Sequence, residues 1–214
     1  MKEINVRVTY LEELLGTASA NPEIHRDFVA SKAPDAKSIE EEVEAIGVSE
    51  VTEKAMSVFP RLEDGTPFTY DYQWRGFFKD SCGMLRRATG YKSGKLTAYK
   101  KTIDGLVFVR PRKIRLVIPE GLEMGECQRP LRASTPQGER VALAHSETVP
   151  EGTTQTFVIT VLRDDLLSYV KEWLDYGFLH GTGQWRNSGK GRFVWDELDE
   201  NGKVIGGNAK ITRK

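Results

Sequence analysis

Cysteine and histidine are both scarce in this 214-residue chain, which holds two of the former and three of the latter. Cys82 and Cys127 lie far apart, each in a segment without a second thiol, so the sequence draws neither a disulfide framework nor a zinc-type spacing. His25, His145 and His180 show no metal-like spacing either, and no metal or other cofactor is expected. No apolar run reaches the roughly 18 residues of a membrane-spanning helix. The opening Met1-Lys2-Glu3-Ile4-Asn5-Val6 enters a strand-like alternation rather than a basic, apolar leader. A cytoplasmic protein without a membrane partner is therefore expected. Net charge is also lacking, since Lys+Arg and Asp+Glu both number 31.

That neutrality hides a segregation of sign. Residues 1–70 hold 7 Lys+Arg against 14 Asp+Glu, whereas residues 71–115 hold 12 against 3. A basic middle of this kind points to a polyanion partner, or to an acidic segment of the same chain lying over it. Apolar content of 39% with 29% charged residues is that of an ordinary globular protein, and the length suits one large domain with insertions.

Ile4, Val6, Val8 and Tyr10 alternate with polar residues as a half-buried strand does. Residues 18–57 are acidic and read as a mainly helical insertion, with Ser38 as a cap and Ile39, Val43 and Ile46 at helical spacing; Glu40-Glu41-Glu42 reads as its solvated face. Residues 58–72 predict a hairpin turning at Glu63-Asp64-Gly65-Thr66. Trp74, Phe77, Phe78, Cys82, Leu85 and Ala88 recur at helical spacing, with Arg75, Lys79, Arg86 and Arg87 mostly outside that stripe. Thr89 to Lys95 reads as a flexible basic loop. Two short strands follow, Leu106–Val109 and Lys113–Ile118, parted by Arg110-Pro111-Arg112. Residues 119–148 are polar and turn-rich and predict an insertion of irregular strands. Gln155–Leu162 reads as a strand, then a helix capped by Asp164 or Asp165 and stopped by Gly177, a glycine-rich loop, a strand from Phe193, a turn at Asn201-Gly202 and a basic tail over Lys210–Lys214. Two helices on one face of an antiparallel sheet make an α+β, ferredoxin-like (RRM-type) fold.

The loop carries most of the chemistry. From His180 to Phe193, fourteen residues include four glycines, Arg186, Lys190, Arg192 and Trp185. Glycine lets backbone N–H groups approach a ligand, and the cations supply what phosphates attract. Trp185 can stack on a base or anchor the loop from the core. His180, at its mouth, is the one histidine placed for acid–base work, though a lone histidine is more often structural.

Three stretches resemble the RAMP superfamily of CRISPR-associated RNA-binding proteins, especially its backbone subunits. Arg61-Leu62-Glu63-Asp64-Gly65-Thr66-Pro67-Phe68 followed by Tyr72-Gln73-Trp74-Arg75-Gly76 is similar to that family's acidic-glycine turn and first-helix entry. Val149-Pro150-Glu151-Gly152-Thr153 resembles the lead-in to its third core strand, and Gly181–Phe193 its glycine-rich loop. They occur in the family's order and cover about half of the chain; bulky Tyr72-Gln73-Trp74 departs from the small residues usual at that entry. The resemblance implies RNA, guide or other single-stranded, gripped by Arg75 and Lys79 at the helix start and by Gly183, Gln184, Trp185, Arg186, Asn187, Ser188, Lys190 and Arg192 of the loop. Arg86, Arg110, Arg112 and Lys113 would extend the basic track, or simply guard a sheet edge. Other protein subunits, or self-association along RNA, are the implied partners. Two alternatives stay open: a solitary, phage-type RAMP-like protein that sequesters RNA or a nucleotide signal or blocks a host complex, and a metal-independent endoribonuclease using His180. The basic helix could also meet an acidic protein.

Overall fold

The alternation that opens the chain builds its central strand: Ile4, Val6, Val8 and Tyr10 are all buried while Asn5, Arg7 and Thr9 face the other way. The computed structural model describes residues 1–19, 56–135 and 138–209. Six elements form its centre: β1 (Lys2–Tyr10), α1 (Asp71–Leu85), β2 (Val107–Arg110), β3 (Thr154–Val161), α2 (Leu166–His180) and β4 (Phe193–Leu198). The strands lie in the order β4-β1-β3-β2, every neighbouring pair antiparallel, and Val204–Gly207 adds a fifth strand beside β4. This is the ferredoxin-like β-α-β-β-α-β arrangement expected from the sequence.

Both helices cover one face of that sheet. α1 contributes Trp74, Phe77, Phe78, Cys82 and Leu85, and α2 contributes Leu166, Val170, Trp173 and Leu174, to one buried cluster with the inward residues of the strands. Aromatic rings knit the layers together: Trp74 lies 4.5 Å from Phe157 of β3 and 5.4 Å from Phe193 of β4, centroid to centroid, and Phe78 lies 5.8 Å from Trp173. Such contacts add about 0.5–1.5 kcal/mol each beyond the area they bury.

Several expectations need correction. α1 starts at Asp71 rather than Trp74, because the Gln73 side chain accepts from the Tyr70 backbone N–H at 3.1 Å and fixes the first turn there. Asp165 does not cap α2 with its side chain; it pairs with Arg163 at 2.6 Å. Gly177 does not stop α2, which continues to His180 and ends at Gly181, whose φ of 72° favours glycine. Gly177 serves packing instead, since a Cβ there would enter the ring of Phe193. The hairpin expected over residues 58–72 splits after one bridge, Arg61 to Pro67. Glu147 accepts from the Phe59 N–H at 2.9 Å and pairs with Arg61, drawing Met56–Val58 towards Gly138–Val149, while Phe68–Tyr70 pairs with Lys113–Arg115.

The basic loop after α1 is not flexible. Glu172 accepts from the Lys92 N–H, the Ser93 N–H and the Ser93 hydroxyl at 2.6, 2.9 and 2.6 Å, and Trp173 Nε1 donates to Ser93 Oγ at 2.9 Å, so Lys92–Lys95 forms a pinned 3-10 turn. A further short helix spans Tyr99–Leu106 and buries Ile103; eight residues are too few to print a clear period. Residues 119–148 hold no irregular set of strands but a long two-stranded hairpin, Gly125–Thr135 with Gly138–Val149. Its backbone ladder is indifferent to side-chain pattern, which is why no alternation announced it. The proposed cap at Ser38, its helix, His25 and the tail Lys210–Lys214 lie outside the described residues.

Gly177→Ala is expected to cost about 1–3 kcal/mol in urea unfolding, because the strain against Phe193 outweighs the better helix propensity of alanine. An unchanged or raised midpoint would show that the contact is slack.

Candidate functional site

The glycine-rich loop follows α2 and is stapled to residues 11–16 by its own backbone. Leu11 N–H donates to Arg192 O at 2.8 Å, Gly191 N–H to Glu13 O at 2.9 Å, and Thr182 N–H to Gly191 O at 2.9 Å. Gly191 has φ of 70°, and a Cβ on it would collide with the Thr182 carbonyl. Its glycine is thus accounted for by loop closure. Side chains add to the staple: Lys190 pairs with Glu13 at 2.6 Å and Arg192 with Glu12 at 2.9 Å. The hydrogen bond from Lys190 to Glu13 is the main reason its ammonium pKa lies above the ordinary lysine value. Gln184 donates to Gly16 O at 3.0 Å and accepts from Arg129 at 2.9 Å. Trp185, with φ of 55° and 37% exposure, is neither core nor free: the Arg129 guanidinium lies 5.0 Å over its ring. Asn187 and Ser188, on the short 3-10 turn Arg186–Ser188, are exposed.

The other expected cations also have neighbours. Arg75 and Arg112 pair with Asp71 at 3.5 and 3.1 Å, Lys79 with Asp104 at 2.8 Å, and Arg110 with Glu3. Arg86 lies over the Tyr99 ring at 5.1 Å and Lys113 over Phe68 at 5.7 Å. Surface pairs of this kind are worth about 0–1 kcal/mol each, so they hold side chains in place without locking them. Sequence reading missed their acidic partners because Glu12, Glu13, Asp71 and Asp104 are remote in the chain from most of the cations they meet.

Two groups of cations stand apart. Arg86, Arg87, Lys92, Lys95, Lys100 and Lys101 are exposed and have no carboxylate partner among the described residues, and no Asp or Glu occurs between residues 81 and 103. Arg129 is 8% exposed, has no carboxylate partner among the described residues, and leaves Nε and Nη1 without a hydrogen bond. A buried cation so placed is costly unless an anion or the Trp185 ring offsets it.

His180 is no longer alone. Its Nε2 lies 2.8 Å from Asp80 Oδ2 and 2.7 Å from Arg186 Nη1, Arg186 also pairs with Asp80, and Tyr176 stacks on the imidazole at 4.9 Å. Partial burial pushes the Asp80 carboxyl up, but hydrogen bonds from His180 and Arg186 and the Arg186 charge outweigh it and hold the group below the usual carboxylate range. Asp80 and Arg186 border a cavity of about 460 Å³ between α1, the loop and residues 14–19. No group of three His, Cys, Asp or Glu suited to a metal occurs among the described residues, and no described helix is long and apolar enough to cross a membrane.

No protein-family model and no curated protein matches the chain. Solved structures do. One chain in the cryo-EM structure of the Type III-B Cmr-beta bound to cognate target RNA superposes with a TM-score of 0.53 at 10% identity. The match covers 96% of this chain and 59% of that one, so this chain spans little more than half the length of its neighbour. At that identity the likeness is one of fold.

The cluster has a pH signature. Because the Asp80 pKa is lower folded than unfolded, its stabilisation is complete above about pH 4, the unfolded carboxyl range, and disappears as pH falls through the folded-state value. Wild type should therefore be more stable than Asp80→Asn at pH 7, with the gap closing in acid, as measured by thermal unfolding from pH 7 to pH 2. A gap independent of pH would remove the ion-pair explanation.

Proposed function

We propose that the chain is a RAMP-like protein that binds single-stranded RNA by its phosphate backbone. The observation that carries this reading is the run of six exposed cations from Arg86 to Lys101 with no carboxylate among them, held in shape by Glu172 and Trp173 beneath. A phosphodiester backbone is the partner such a track suits, and binding would release counterions from it. Support comes from the fold shared with a chain of an assembly whose name places it on target RNA. The hairpin adds Arg129, whose Nε and Nη1 have no hydrogen bond, and the glycine-rich loop adds the exposed Asn187 and Ser188. Arg75, Lys79, Lys190 and Arg192 contribute by exchanging a weak carboxylate pair for phosphate, since hydrogen bonds to charged groups reach about 1.5–3 kcal/mol, and Arg186 by the donors that its Asp80 pair leaves open. Binding along one strand would also suit further subunits or copies of this chain.

Filter binding of a labelled single-stranded oligonucleotide at several salt concentrations tests this. Lys92→Glu, Lys95→Glu, Lys100→Glu and Lys101→Glu together should weaken binding at least a hundredfold and flatten the dependence on log salt. Arg186→Ala with Lys190→Ala should weaken it less, because each begins already paired. Wild-type protein without affinity at low salt would refute the reading.

One observation favours a second reading, a metal-independent endoribonuclease: His180 has a carboxylate partner in Asp80, as an oriented general base does. Cleavage of labelled RNA in EDTA that His180→Ala abolishes would establish it, and intact RNA would dismiss it.

A further inference from the structure

Gly76 has no packing reason to be where it is. Gly76 lies inside α1, where glycine costs about 0.5–1 kcal/mol relative to alanine. Gly177 in α2 is explained by the Phe193 ring, but a Cβ on Gly76 would meet nothing within 4 Å among the described residues. Gly76 is exposed, and it lines the 460 Å³ cavity together with Gln73 and Asp80 on the same stripe of α1, three residues before it and four after. Bare backbone at that point leaves a flat bed on the helix surface. Trp74, Phe59 and Leu15 supply apolar wall, and the volume is in the range of about 300–1,000 Å³ usual for small-molecule sites.

The polar groups of the cavity divide into spent and unspent. Tyr10 donates to Gln155 at 2.9 Å, Gln155 donates to Thr69 at 2.6 Å and to Ile114 O at 3.1 Å, and Gln73 donates to Thr17 at 2.6 Å. Asp80 and Arg186 are different. Asp80 engages its partners through Oδ2 alone and Arg186 through Nη1 alone. Oδ1 of the carboxylate and Nη2 and Nε of the guanidinium have no hydrogen bond among the described residues, and none of these atoms is buried. An acceptor therefore sits beside a donor at the edge of an aromatic-walled cavity. The complementary ligand edge has an N–H next to an acceptor, with a flat ring behind it. Nucleobases present that edge, guanine and uracil as a ring N–H beside a carbonyl, adenine and cytosine as an amino N–H beside a ring nitrogen.

We propose that this cavity holds one unstacked nucleobase, lying on the Gly76 backbone with an N–H and the acceptor next to it paired to Asp80 and Arg186. The base comes from a free nucleotide or from an RNA strand, and in the second case the inference rests on the RNA-binding reading above. Unstacked bases read on their Watson–Crick edge against aromatic side chains are a general means of single-strand recognition.

Titration calorimetry of the whole chain with GMP, UMP, AMP, CMP and ribose 5-phosphate, and with an oligouridylate decamer and an abasic decamer of the same backbone charge, tests it. The mononucleotides should bind at least tenfold more tightly than ribose 5-phosphate, or oligouridylate at least tenfold more tightly than the abasic decamer. A gain from the base in mononucleotides identifies a free-nucleotide site, and a gain in the decamers alone identifies a base of RNA. Asp80→Ala should reduce the gain. Gly76→Leu should abolish it while leaving the thermal midpoint unchanged or raised, which separates blockage from misfolding. Equal binding with and without a base, or a gain that survives Gly76→Leu, overturns the cavity assignment. Decamers bound equally with and without bases would leave RNA binding standing and this inference refuted; mononucleotides bound with a gain from the base but no decamer bound would do the reverse.

Discussion

The ring of Phe193 lies against the bare backbone of Gly177, and the positions of both helices and of the glycine-rich loop depend on that contact. Because α2 has no side chain there, it can approach β4 closely enough for Phe193 to reach Phe77 at 5.3 Å and Trp74 at 5.4 Å on α1. The three elements thus share one aromatic junction. One turn further on, α2 ends at His180 and Gly181 releases the chain into the loop. Arg192, next to Phe193, is then carried to Glu12, and the loop closes over residues 11–16. Geometry at the loop follows from core packing one helical turn away.

Charge is handled in two ways on this scaffold. Around the loop and the start of α1, cations meet carboxylates brought from distant parts of the chain, which orders the side chains at small net energy. Between Arg86 and Lys101 no acid is present and the cations are left to solvent. The pinned turn at Ser93 keeps these charges together despite their repulsion, since Glu172 satisfies two backbone N–H groups and one hydroxyl at once. A protein of zero net charge thereby keeps a run of exposed cations with no carboxylate partner among the described residues.

Neighbouring regions have different electrostatic characters for reasons of burial. Asp80 is half-enclosed and held ionised by His180 and Arg186, whereas Asp64 lies in the open and is lowered to about 2 by hydrogen bonds from Thr66 and Arg115. The first joins His180 and Arg186 in one cluster; the second closes a turn onto Lys113–Arg115. Both were single acidic letters in a sequence.

Strand β1, the apolar stripes of α1 and α2, the strand from Phe157 and the ferredoxin-like order of elements were legible in the sequence, because burial on one side writes a period of two or of 3.6 into neighbouring residues. The loop was legible as a concentration of glycine and charge. The short helix Tyr99–Leu106, the split at Arg61 and the long hairpin were not: the helix is too short to print a period, the split is decided by Glu147 far along the chain, and the hairpin rests on a backbone ladder. The same holds for the site. His180, Arg186 and Lys190 could be named from composition, but the meeting of His180 with Asp80, of Lys190 with Glu13, and of Gly76 with a cavity are distances between residues that no local pattern encodes. Sequence alone determined which residue types and which periodicities were available; tertiary packing decided which charges cancel and which remain, because pairing depends on separation in space.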